Sequence, residues 1–195
     1  MISAQLSSLI LGLLLALGVT AWGGAMEGRA TFPGREAECA GPGDQYVVVN
    51  VDPEAERDPE APHQLWLQDR LHAQKFKLLE YGRSVEVLWS PHGKALAVTD
   101  HAGSDRSNTY IFLLGTEIRR IDVGAEFQHN AGATAAVLDN HHAYLEATQW
   151  VDDMRILVHL HGYGDESPEG FEFTLEYAVG NGFHAEHGSA GRTGP

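Results

Sequence analysis

Along most of the chain, apolar residues come in short runs bounded by turn formers. Residues 85–89 and 95–98 are two such runs, and they flank Ser90-Pro91-His92-Gly93. Proline at the second turn position and glycine at the fourth suit a type I turn, so this stretch predicts a β-hairpin. The polar loop 100–108 then leads to residues 110–114, whose aromatic and branched side chains predict a third strand. Upstream, residues 45–51, 65–67 and 76–81 predict three strands, with the acidic, proline-containing stretch 52–62 as a solvated loop. Downstream, residues 117–123 predict the outer strand of the central unit. The Ala-rich run 131–138 predicts one short helix, stopped by Asp139-Asn140. Residues 144–150 and 155–161 predict a second hairpin, followed by strands at 171–177 and 182–187. Within 171–177, Phe171, Phe173, Leu175 and Tyr177 share one face while Glu172, Thr174 and Glu176 share the other, so the last sheet has one wet face. Residues 28–43 mix glycine, proline and charge without periodicity and read as a connector. The fold class is all-β, built of antiparallel meander sheets.

The two hairpins form a weak internal repeat. Trp150 falls on Trp89 and Asp152-Asp153 on Pro91-His92 at an offset of 61 residues; with one residue fewer in the second turn, Ile156 then matches Leu96 and Val158 matches Val98. The central unit resembles a blade of the TolB-type β-propeller repeats, whose signature is a tryptophan, a Ser-Pro-Asp-Gly-Lys turn, an apolar strand and an aromatic strand. Trp89, Ser90, Pro91, Gly93, Lys94, Leu96, Val98 and Tyr110 carry the match; His92 stands where the repeat usually has aspartate. The resemblance implies sheets arranged as two to three propeller-like blades. A closed propeller needs at least four, so the expectation is an open stack, or one completed by a second copy.

Composition settles the address and excludes some partners. The chain has 27 acidic and 13 basic residues and a net charge of −14, which opposes binding to nucleic acid or an anionic membrane surface. Residues 6–19 are apolar except for Ser7 and Ser8. With the small residues that follow, residues 1–21 read as a secretory signal peptide; the mature chain then begins at Trp22, or at Met26 after Gly23-Gly24-Ala25. Left uncleaved, the same run could serve as a single-span anchor. The expected organisation is a signal peptide (1–21), a flexible leader (22–44), a propeller-like β domain (45–187) and a disordered tail (188–195), in a periplasmic or secreted protein with no membrane span after cleavage. Cys39, the one cysteine, permits no internal disulfide; flanked by Glu36 and Glu38, it reads as an unactivated thiol.

Two groups of residues could carry function. His159 and His161 lie two apart on a strand and so share a face. With Glu172, Glu176, Asp165 and Glu166 nearby, they could ligate zinc or a related divalent ion. The plainer reading is a polar sheet surface on which the histidines pair with glutamates. His141-His142 can contribute at most one ring to a given face, and His184 and His187 fall near the end of the chain. The second group is the loop carrying Asp100, His101, Ser104, Asp105 and Asn108. With its counterpart bearing Asp165 and Glu166, it predicts an acidic rim on one end of the stacked sheets, suited to recognition. No nucleophile elbow, phosphate-binding loop or catalytic triad is present, and no cofactor is implied beyond that divalent metal. The sequence supports three readings. The first is an exported, non-enzymatic β-sheet module that binds a protein or cell-envelope component through its rim loops. The others are a metal-dependent periplasmic enzyme using His159 and His161, and a homo-oligomer whose open sheet edges are covered by its own copy.

Overall fold

The computed structural model describes residues 28–54, 57–58, 61–130, 132–165 and 167–185. The expected signal peptide, Glu166 and the tail 188–195 lie outside the described residues. Three antiparallel meanders of four strands follow one another along the chain. The first runs through β2 (Glu38–Ala40), β3 (Tyr46–Val51), β4 (His63–Asp69) and β5 (Gln74–Tyr81). The second comprises β6 (Ser84–Trp89), β7 (Ala95–His101), β8 (Arg106–Leu113) and β9 (Arg119–Asp122), with β1 (Arg29–Phe32) added beside β6. The third comprises β10 (His142–Asp152), β11 (Arg155–Gly164), β12 (Ser167–Ala178) and β13 (Gly182–Ala185). The second and third are joined into one nine-stranded sheet by a parallel contact between β8 and β10. The antiparallel all-β architecture is as the apolar pattern predicts, and the described strands close into neither a barrel nor a propeller.

The strand sequences explain the layering. In β7 all of Ala95 to Thr99 are buried. Leu96 and Val98 enter one core with Leu65, Leu67, Leu79 and Phe112, while Ala95 and Ala97 enter a second with Ile111, Leu145, Val158 and Leu160. The middle meander is therefore sandwiched, which requires apolar residues on both faces of its central strand. In β12, Tyr177 is buried and Phe171 and Leu175 pack partly against the second core. Glu172 and Thr174 are exposed, as alternation predicts, but Phe173 is also 37% exposed and breaks the pattern.

Two stretches differ from expectation. The connector read at 28–43 contributes β1 and β2, which are too short to show periodicity. Each is fixed by what it covers: Phe32 is fully buried, and Gly41 packs so closely on the Trp89 indole that a Cβ there would stand 3.0 Å from the ring. Glu36 and Glu38 are exposed while Cys39 is buried, and burial is what pushes its thiol pKa up. The Ala-rich run, expected as the helix, is a 3₁₀ segment (Gly132–Asp139), and the true helix, α1 (Val123–Asn130), precedes it. Asp122 caps α1 by accepting the Ala125 N–H at 3.0 Å, and Val123 and Phe127, one turn apart, bury the inner face.

The hairpin repeat survives in three dimensions. Trp89 lies opposite Leu96 and Trp150 opposite Ile156; Val98 faces Val87 and Val158 faces Ala147. Gly93 adopts φ +68° in the turn, the left-handed conformation that favours glycine. The two turns also touch. Asp153 accepts the His92 backbone N–H at 3.0 Å and lies 3.0 Å from His92 Nδ1, with its side chain only 11% exposed. Burial opposes ionisation of Asp153, but the His92 N–H, the Ser90 hydroxyl and the His92 ring outweigh it and hold the carboxyl below its ordinary value. A depressed carboxyl pKa adds stability above the unfolded value, and that stability is lost as pH falls through the folded value. Acid unfolding below about pH 4 should therefore be shallower in Asp153→Asn than in the wild type. Denaturant midpoints compared between about pH 3 and pH 6 test this, and parallel curves for the two proteins would remove Asp153 from the acid response.

A candidate metal centre on the wet face of the third meander

Backbone ladder hydrogen bonding between the second and third meanders is sparse. The β8–β10 contact has two register pairs, Ala143 with Arg106 and Tyr144 with Ser107. Beyond it β8 turns to β9, and β10 follows β11. Side chains stitch the remaining seam. Thr109, fully buried, donates to the Leu145 carbonyl at 2.9 Å; Thr99 Oγ1 accepts the Ala147 N–H at 3.1 Å, and the two hydroxyls are 3.1 Å apart. Further along, the Trp150 Nε1–H donates to the Leu88 carbonyl at 2.9 Å.

On the wet face beside this seam, register places Glu146 of β10 directly opposite His159 of β11, and Tyr144 opposite His161. One donor atom from each of Glu146, His159 and His161 lies within 4.8 Å of the other two. His161 Nε2 is 3.5 Å from Glu146 Oε2, and the two imidazoles stack at 4.5 Å between centroids. His159 Nε2 also meets Glu172 Oε1 at 3.1 Å across β12. From the other side of the seam, His101 Nδ1 stands 3.7 Å from Glu146 Oε1, and the Ser107 hydroxyl donates to the same oxygen at 3.5 Å. Tyr144 stacks on His161 at 5.0 Å; burial, followed by the nearby Tyr163, Asp105 and Glu146, keeps its phenol protonated beyond the usual range. Two imidazoles and a carboxylate at this spacing suit zinc and related first-row divalent ions, whose N and O ligands stand about 2.0–2.2 Å from the metal.

The predicted site residues are therefore sorted differently from expectation. His159 and His161 come together, with Glu172 beside them, but Glu176 faces Arg155 at 3.5 Å. Glu146, which the sequence reading passed over, supplies the carboxylate between the histidines of β7 and β11. The loop expected to begin at Asp100 begins two residues later, because β7 runs to His101. Asp100 and His101 consequently point to opposite faces. His101 turns to Glu146, whereas Asp100 lines a cavity of about 330 Å³ with Asn108, Tyr110, Asp122 and Leu145. Burial raises the Asp100 pKa, and the charges of His101 and Arg120 partly oppose that rise. Asn108 serves structure: its amide donates to Asp122 and its carbonyl accepts the Gly124 N–H, seating the start of α1. Ser104 and Asp105 act through their backbone carbonyls, which accept the Tyr144 hydroxyl at 2.7 Å and the Ala143 N–H at 3.0 Å. Asp165 is exposed. Asn140 bridges the strands that follow the two loops: its carbonyl accepts from Arg106, the first residue of β8, at 3.4 Å, and its Oδ1 accepts the N–H of Ser167, the first residue of β12, at 3.1 Å.

Among the described residues, no helix is long and apolar enough to cross a membrane. Comparison of the chain with protein-family models, with curated proteins and with solved structures gives no match.

Proposed function

We propose that this protein is an exported, propeller-like β-sheet module that holds a divalent transition metal through Glu146, His159 and His161. The observation that carries the reading is the convergence of three ligand atoms within 4.8 Å on a register-fixed sheet face. A strand scaffold holds such a set more rigidly than a loop does. The blade-like arrangement draws support from the three successive four-stranded meanders and the apolar sandwiching of β7; export draws support from the apolar run at residues 6–19. Purified protein equilibrated with Zn²⁺ and then desalted should retain about one equivalent. The His159→Ala/His161→Ala double variant should fold normally, since both residues lie on the wet face, and should retain none. Equal zinc content in the two proteins would reduce these histidines to surface pairing with Glu146 and Glu172.

A second reading concerns the rim. Asn140 ties the start of β8 to the start of β12, at the end of the sheet from which the two loops leave, which supports capture of a protein or envelope partner at that end.

A further inference from the structure

We propose that His101 is a fourth protein ligand, so that the metal closes the seam between the second and third meanders instead of presenting an open coordination position. This inference rests on the metal reading above. Its starting point is the asymmetry of Glu146. One carboxylate oxygen faces His161 at 3.5 Å on the same meander; the other faces His101 at 3.7 Å across the seam. Two ligands at 2.0–2.2 Å from a tetrahedral ion stand about 3.3–3.6 Å apart; the Oε2–His161 separation matches such an edge, and the other oxygen of the same carboxylate places His101 on the opposite side of Glu146. His101 lies outside the group formed by the other three and meets it at Glu146. It is the last residue of β7 and its side chain is 29% exposed, so its imidazole is not locked in a core, and ligation requires it to rotate onto the shared ion.

The fold gives such a ligand a purpose. Direct strand pairing across the seam stops after two register pairs, and individual bonds from Thr99, Thr109, Trp150, Ser107 and Asp153 hold much of the rest. Metal held by His101 on one side and by Glu146, His159 and His161 on the other would link β7 to β10 and β11. A site with four protein ligands is characteristic of structural metal, whereas catalytic sites keep one position for water or substrate. The metal is then a fastener and not a catalytic centre.

Cobalt(II) reports the coordination directly, because four-coordinate Co²⁺ absorbs visible light far more strongly than five- or six-coordinate Co²⁺. The wild-type protein should bind Co²⁺ with intense visible bands, and His101→Ala should bind it at least about tenfold more weakly, with its visible bands shifted as water takes the vacated position. His101→Cys should restore tight binding and add a near-ultraviolet thiolate-to-cobalt band that the wild type, whose Cys39 is buried, lacks. That band reports ligation at residue 101 and not general destabilisation. A wild-type spectrum and affinity in His101→Ala, or no thiolate band in His101→Cys, would overturn the fourth ligand while leaving the three-residue site standing. Failure of the wild type to bind Co²⁺ at all would overturn the metal reading itself.

Discussion

Replacing Trp150 with alanine is expected to lower the stability of the fold by about 3–5 kcal/mol, the range for deleting a core aromatic. Its indole is 7% exposed within the second core, and its N–H reaches across the seam to the Leu88 carbonyl. The variant thus loses packing and also removes one partner from a part-buried carbonyl. Trp89→Ala should cost a similar amount for parallel reasons. That ring is 4% exposed in the first core, its N–H donates to the Cys39 carbonyl at 3.3 Å, and it carries the close packing of Gly41. The two tryptophans occupy separate cores, but Trp150 bonds the peptide that precedes Trp89, so the double variant should depart from simple addition. Urea midpoints decide this. Unchanged midpoints for both single variants would contradict the paired-hairpin account.

Gly162→Ala should be the most damaging small substitution, at about 3 kcal/mol or somewhat more, the upper end for overpacking. An added Cβ would collide with the His142 carbonyl oxygen and lie 2.8 Å from the Phe171 ring. The carbonyl cannot retreat, because Ala143 pairs with Gly162 and His142 with Tyr163 in the β10–β11 ladder, while Phe171 pairs with Gly162 from β12. The same crowding sits at the end of the strands that carry Glu146, His159 and His161. The variant should accordingly weaken metal retention as well as lower the thermal midpoint. Wild-type stability in this variant would show that the sheet end yields easily, and with it the rigidity on which the metal site depends.

Much of this architecture is legible in the residue pattern because it rests on local rules. The turn at Ser90-Pro91-His92-Gly93 and the alternation in residues 144–150 and 155–161 specify two hairpins, and the offset between Trp89 and Trp150 specifies their equivalence. What long-range packing decides is less legible. β1 and β2 exist because Phe32 and Cys39 find cover in the first core, and nothing in four- and three-residue strands announces that. Alternation would place Glu146 on the face of His159 and His161. Counting back from the Asp152–Arg155 pair sets it opposite His161; two irregularities in β10, at Ala147/Gln149 and Trp150/Asp152, shift it opposite His159. The face was therefore readable and the partner was not. His101 joined the same site only because β10 lies beside β8, a crossing of parallel strands that no local signal encodes. The expected loop residues are divided for a simpler reason: because β7 runs on to His101, Asp100 and His101 point to opposite sides of the sheet.

The most direct test of the account is a crystal structure of the zinc-loaded protein with anomalous data collected on both sides of the zinc edge. The account predicts one strong edge-dependent peak between Glu146, His159 and His161, on the wet face of the third meander and on the side facing His101. A peak elsewhere, or none at these residues in fully zinc-equilibrated crystals, would contradict it.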